Sequence, residues 1–301
     1  MPAGDGWKRE SMTEGLVLTL DGSTRTCSAA LLRQTGGSSG RLPVSSSSPF
    51  SSAQATGLSE GAGWSVEARR AVLDDRGQAR VLLRLIDDML TEVGAEPKDL
   101  SAIAVGTGPG TFTGVRITVA TARGLSVALG IPVLGVSTLA ALAAGAAGRV
   151  DSRGDQDGLP ALLPVVDARR QQVFYGVYRP VGGRWVRRGQ LAVCGREEFG
   201  GAIGRQVEGW SVATGESRTL VGNLPGGCEF AEADVEAEHL VLGQDVIEEP
   251  SAESSVGTPS GEVGNPESVR PIYVRSPDAD VHIAKMKDPW TDGGGRDRRK
   301  G

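Results

Sequence analysis

The run from Gly106 to Arg123, GTGPGTFTGVRITVATAR, constrains the fold of this chain more than any other stretch. An apolar segment (Ile103, Ala104, Val105) enters a loop carrying Gly106, Gly108, Gly110 and Gly114. A small-residue helical pattern follows from Val115 to Leu129. That order is a strand, a glycine-rich turn and a helix start. Backbone N–H groups at the positive end of a helix can receive a phosphate or a carboxylate, and Thr111 and Thr113 add hydroxyl donors. The spacing is not GxGxxG, and no Lys-Ser or Lys-Thr pair follows. Neither the dinucleotide fingerprint nor the Walker A loop fits. Without an anion, the same glycines serve a tight turn that needs positive φ.

Around this loop the pattern is that of an α/β protein. Strands are expected at Leu16–Leu20, Cys27–Leu32, Trp64–Leu73, Ile103–Gly106 and Val133–Val136, and helices at Gln78–Val93, Val115–Leu129 and Leu139–Ala147. Residues 36–63 are dominated by serine and glycine and read as a mobile insertion. A second half echoes the first. Asp21 ends one strand and Arg33 the next, and Asp167 and Arg179 repeat them at the same separation. Val17, Thr19 and Leu20 answer to Leu163, Val165 and Val166, and Cys27, Ala29 and Leu31 to Val173, Tyr175 and Val177. Two such hairpins predict a duplicated ribonuclease-H-like domain. The second half looks worn: a short helix within Glu197–Gln206, short strands at Leu220–Asn223 and His239–Leu242, and a low-complexity stretch over 248–269. The expected layout is a loose leader 1–14, an N-terminal domain 15–150, a C-terminal domain 159–280, reduced relative to the first, and a tail 281–301.

A length of 301 residues suits two modest domains. The net charge of −5 comes without a concentrated basic stripe, which disfavours direct nucleic-acid binding as the main role. Cys27, Cys194 and Cys228 stand at long irregular spacing and match neither a zinc pattern nor a disulfide framework, so reduced thiols in a cytoplasmic protein are expected. The first residues have no apolar signal core, and no run is long enough to span a membrane.

The glycine-rich string resembles the signature of the TsaB (YeaZ) family and, more distantly, that of its paralogue TsaD, both of the bacterial machinery that makes threonylcarbamoyladenosine in tRNA. LVLTLDGSTRTCSAALL (16–32) is similar to the family's first hairpin, with Gly22 in place of the usual Thr. IPVLGVSTLAALA (131–143), LLPVVDARRQQVFYGVY (162–178) and RPIYVRSPDA (270–279) extend the resemblance. It is close over 64–180, fair over 16–32 and 270–279, and poor elsewhere. It implies the fold shared by actin, sugar kinases and heat-shock ATPases, of glycoprotease-like type, with two similar α/β domains.

In full members of that fold an aspartate and hydroxyls after the first strand hold metal and phosphate. Asp21, Ser23 and Thr24 occupy that place and, with Gly108, Gly110, Thr111, Thr113 and Gly114, form a vestigial phosphate-binding set. Asp21 as a plain turn cap is the preferred alternative, as is a structural Asp167–Arg169/Arg170 pair in the second turn. TsaD carries two histidines four apart on the helix after the next strand, where this chain has Thr138 and Leu142. His239 and His282 lie far off and read as surface side chains. No nucleophile–base set stands near the loop. The resemblance therefore implies a non-catalytic subunit, with no cofactor or metal, that binds a TsaD-like catalytic subunit. A TsaE-like ATPase would join the assembly, a homodimer would form when the chain is alone, and tRNA would be met only indirectly. A self-sufficient glycoprotease-like hydrolase or ATPase is the alternative, and a drifted homologue with weakened partner binding is a third reading. The apolar residues of Gln78–Val93 exceed one stripe, so Val81, Leu85 and Met89, with Ala120 and Gly124 of the next helix, are expected on a partner face.

Overall fold

The computed structural model describes residues 15–35, 64–73, 78–150, 158–243, 247–249 and 265–274. The expected leader, the 36–63 insertion, the tail, His282 and most of 248–269 lie outside the described residues.

The first half forms a five-stranded sheet in the order β3-β2-β1-β4-β5. β1 (Leu16–Asp21), β2 (Thr26–Gln34) and β3 (Trp64–Leu73) are antiparallel neighbours. β4 (Leu100–Gly106) and β5 (Val133–Val136) continue parallel from β1. β1 is buried along its whole length because both faces are covered. Leu16, Leu18 and Leu20 face a core shared with α1 (Gln78–Glu92) and α2 (Phe112–Leu129). Val17 faces the other way, toward α3 (Thr138–Ala147).

The second sheet runs β10-β9-β6-β7-β8-β11. β6 (Ala161–Arg169), β7 (Gln172–Val181) and β8 (Arg184–Gly195) are antiparallel, and β9 (Ser211–Gly215) and β10 (Cys228–Glu232) lie parallel to β6. The short β11 (Ile247–Glu248) adds to the β8 edge. Apart from β11, each sheet has its third, second, first, fourth and fifth strands in that spatial order, so the duplication expected from the two hairpins is present. The hairpins differ by one residue in register: Asp21 sits opposite Ser28, and Asp167 opposite Val173.

The reduction of the second half lies in its helices, not its strands. α4 (Phe199–Gly204) has six residues and α5 (His239–Leu242) four. Two expected strands are corrected. His239–Leu242 is helical, and Leu220 ends a 3-10 turn that starts at Arg218. The four-residue apolar run His-Leu-Val-Leu cannot display a period, so its neighbours decide its conformation.

All ten residues of α3 are buried, because the helix lies between the two halves. Leu139 and Leu142 pack with the first sheet, and Ala140, Ala143 and Ala144 pack toward Leu162 and Tyr178 of the second. The chain also returns to the first half near its end. Val269 joins the α1/α2 core, and Ile272 donates its N–H to the Thr107 carbonyl at 2.7 Å. The last described segment thus packs on the first half.

Candidate functional site

The glycine loop and the first hairpin turn are locked to each other. Asp21 ends β1 with no exposed surface. Its Oδ1 accepts hydrogen bonds from the Ser23 N–H (2.9 Å) and the Ser23 hydroxyl (2.6 Å). Its Oδ2 accepts from the Thr138 hydroxyl at 3.0 Å, and the Thr138 oxygen in turn accepts from the Gly108 N–H at 3.1 Å. Thr138 closes the circuit by donating its own N–H to the Gly108 carbonyl at 2.9 Å. Burial pushes the Asp21 carboxyl above the usual carboxylate range, and the hydrogen bonds from Ser23 and Thr138 pull it partly back.

The loop glycines are sites of close approach. A Cβ on Gly106 would stand 1.8 Å from Asp21 Oδ2, and one on Gly110 2.1 Å from the Ser23 carbonyl oxygen. The Thr111 N–H donates to that same carbonyl at 2.6 Å. Gly108 has φ +88°, the left-handed region that favours glycine. Gly22 is explained in the same way: a Cβ there would lie 2.4 Å from the Thr118 hydroxyl of α2.

The residues expected to cradle a phosphate are thus divided. Asp21, Ser23, Gly108, Gly110 and Thr111 come together, but their polar groups serve one another. Thr24 is buried, with its hydroxyl on the Thr26 backbone and on Glu216 of the second half. Gly114 is buried within α2, its carbonyl accepting from the Thr118 hydroxyl at 2.9 Å, while Thr113 is exposed. Of the two positions that answer to the paralogue's histidines, Thr138 holds Asp21 and Leu142 is core. Among the described residues no group of three or more His, Cys, Asp or Glu is disposed to hold a metal ion.

His239 is not a surface side chain. It is only 13% exposed and packs against Gly145 of α3, where a Cβ would come within 2.8 Å of the ring. Burial lowers its pKa despite Glu236 and Glu238 nearby. Cys27 is buried in the first core, Cys194 and Cys228 are half-buried, and none forms a disulfide.

The expected partner face needs a correction. Leu82, Leu85, Ile86, Met89 and Leu90 are all buried in the first core, with Val81 and Val93 half-buried against it. These five follow i, i+3, i+4, i+7 and i+8, a single wide stripe. Leu85 and Met89 are therefore core residues, and among the described side chains of α1 the exposed apolar one is Leu83 (55%). On α2, Ala120 and Gly124 are exposed, together with Phe112, Arg116 and Val127. At the start of that face the Arg116 guanidinium lies 3.5 Å over the Phe112 ring, and its Nε donates to the Tyr273 hydroxyl at 2.9 Å.

The doubled sheet order and the sealed glycine loop define a class: an α/β protein of the duplicated ribonuclease-H-like, glycoprotease-like kind. The TsaD family, described as tRNA N6-adenosine threonylcarbamoyltransferase, matches residues 75–198. The tRNA threonylcarbamoyladenosine biosynthesis protein TsaB of Escherichia coli is 37% identical over 111 residues, 36% of this chain and 45% of that protein. The protein of the same name in Bacillus subtilis is 43% identical over 98 residues, 33% of this chain and 39% of that protein. The matched stretches thus span less than half the length of these curated relatives. A solved Pseudomonas aeruginosa protein, described as similar to peptidase YEAZ, superposes with a TM-score of 0.57 at 28% identity, covering 87% of this chain and 100% of that one. The chain is similar to TsaB (YeaZ) proteins in sequence over about a third of its length and in fold over most of it.

Proposed function

We propose that this chain is a non-catalytic subunit in the biosynthesis of threonylcarbamoyladenosine in tRNA. It binds and supports a TsaD-like catalytic subunit, which transfers the threonylcarbamoyl group to the adenosine beside the anticodon. The observation that carries the reading is the commitment of Asp21 and Thr138 to each other, in a chain similar to proteins named for that biosynthesis. The position that answers to a metal-binding histidine in the catalytic paralogue is here a structural hydroxyl. The docking face is the exposed side of α2 through Ala120 and Gly124, with Leu83 of α1 added in place of Leu85 and Met89. Small residues there let another helix approach closely. The same face serves a homodimer when the catalytic subunit is absent. A TsaE-like ATPase completes the assembly, tRNA is met through the catalytic subunit, and the setting is cytoplasmic.

The test uses Gly124→Glu. No atom lies within 4 Å of a Cβ at Gly124, so the monomer accommodates the side chain. The variant is expected to melt at or above the wild-type temperature and to lose co-purification with the catalytic subunit, since an unpaired charge in an interface costs several kcal/mol. A folded variant that still binds refutes the α2 face. Steady-state ATP hydrolysis by the purified wild-type chain alone would refute the non-catalytic role.

A further inference from the structure

β3 ends the first sheet, and among the described residues no strand pairs with its outer edge. Such an edge carries unpaired N–H and C=O groups that a further strand can join. A cleft of about 690 Å³ runs beside it, and Val66, Glu67, Ala68, Arg69 and Arg70 all line that cleft. Successive residues of a strand point to opposite faces. Val66 packs against the core on the α3 side of the sheet, and Ala68 sits in the core on the α1 side. A space that meets consecutive residues from both faces lies along the edge of the strand, where its backbone groups point. The other walls agree: Glu92 of α1 bounds the cleft on one side of the sheet, and Gly145 of α3 with His239 and Leu242 of α5 on the other.

Shape and charge restrict what can enter. Leu31 pairs with Ala68 and Leu32 with Val66, so Glu67 is a bulge in the β2–β3 ladder. A bulge and charged side chains on an edge oppose pairing with the flat edge of another sheet. With α1 on one flank and α3 and α5 on the other, the cleft admits a single extended chain rather than a sheet with its own covering layers. At about 3.3 Å per residue, the stretch from Val66 to Arg70 accommodates roughly five residues of such a chain. Glu67 pairs with Arg33 at 3.8 Å, Glu238 with Arg69 at 3.0 Å, Glu236 with Arg149 at 3.4 Å, and Glu92 with Arg70. Each carboxylate that lines the cleft therefore has a guanidinium partner. An ionic ligand of either sign has to compete with one of these pairs, whereas an uncharged main chain leaves them intact.

We propose that the cleft along β3 takes an extended, uncharged segment of a second protein, which adds to the edge of the first sheet as a further strand. In strand addition the main-chain hydrogen bonds supply the affinity, and the pockets that receive alternate side chains supply the selectivity. Side chains of the entering strand alternate between two walls, Arg70 with Glu92 on one side and Arg69, His239 and Leu242 on the other. Small β-branched residues suit both, since they favour the extended backbone and bring no charge to a neutralised rim. The site shares no residue with the α2 face and does not rest on the function proposed above.

The experiment uses the full chain and a fluorescein-labelled peptide, Ser-Val-Thr-Val-Ser, followed by anisotropy. Saturable binding is expected, and the same peptide N-methylated at every amide is expected to bind at least about tenfold more weakly, because its side chains remain but its donors are gone. Arg149→Trp places an indole at the exposed rim of the cleft and is expected to melt near the wild-type temperature and to lose at least about threefold in affinity. Hydrogen exchange read by mass spectrometry is expected to show bound peptide slowing the amides of 64–73 while the central strand β1 is unchanged. No saturable binding up to ~1 mM peptide overturns the proposal. So does equal binding of the N-methylated peptide, or protection that falls outside β3. A β3 that exchanges as slowly as β1 in the free chain assigns the edge to a segment of the same chain, and self-association abolished by Arg149→Trp without peptide binding assigns it to a second copy. Either result also overturns the proposal.

Discussion

Replacing Asp21 tests whether its carboxylate is a structural hub. In Asp21→Ala, three donors lose their acceptor together: the Ser23 N–H, the Ser23 hydroxyl and the Thr138 hydroxyl. All are buried, and each orphaned donor costs about 1–3 kcal/mol. Even the lower bound gives a loss of about 3 kcal/mol, a fall of roughly 6–12 °C in melting temperature for a domain of this size. Asp21→Asn keeps the shape and the acceptor for Ser23 while removing the charge, so it is expected to stay within about 1 kcal/mol of wild type. The pH dependence separates the two effects. Burial raises the Asp21 pKa, so the folded state holds that proton more tightly than the unfolded chain. The ionised group therefore weakens folding as pH rises through and above the ordinary carboxylate range, and the Asn variant gains on wild type over that rise. Differential scanning calorimetry across that range measures all three proteins. An Ala variant melting within about 2 °C of wild type refutes the hub. So does an Asn variant as unstable as Ala, since the charge itself would then be in use.

Two further outcomes follow from buried groups, and a third from the α1 stripe. Glu249 accepts from Tyr178 and pairs with Arg187, whose side chain is 1% exposed, so Glu249→Ala strands a buried guanidinium and is expected to cost about 3–5 kcal/mol in chemical denaturation. Burial and the neighbouring Glu198 push the Cys194 thiol up to about 11, so iodoacetamide should label it at pH 8 roughly two orders of magnitude more slowly than an unperturbed thiol, as followed by mass spectrometry. Leu85→Glu, in contrast to Gly124→Glu, should unfold the first half, read as loss of the cooperative melt, because Leu85 is 7% exposed within the first core.

The first half was legible because its signals are local and long. Trp64–Leu73 and Val133–Val136 are read from alternation and from flanking loops, and their bounds match β3 and β5. The helix after the glycine loop starts three residues earlier than Val115, at Phe112, since the loop glycines hide the first turn. The second half was less legible. β8 carries Arg184, Arg187 and Arg188 among its apolar residues and has no clean period, yet it pairs with β7 along most of its length. Its strand conformation is set by a partner rather than by its own composition. The partner face was misjudged for a related reason. The apolar residues of Val81 to Val93 exceed one narrow stripe, but β2, β3 and α2 together make a wide floor that takes all of them except Leu83.

The two aspartates that mark the duplication also show what the sequence alone left open. Asp21 and Asp167 stand at the same place in the two hairpins, and each accepts the N–H of the residue two ahead, Ser23 at 2.9 Å and Arg169 at 2.8 Å. The repeated function is therefore an Asx-type turn cap. What differs is how each carboxylate is satisfied beyond that bond. Asp167 is half-buried and takes a guanidinium from Arg196. Asp21 is fully buried and takes only hydroxyls and an N–H, which leaves it without a cation and raises its pKa. Here the close approach of Gly106 and Thr138 turns the same side chain into a strut between the first strand, the glycine loop and α3. Sequence spacing located that residue, and only the packing around it distinguishes a ligand from a strut.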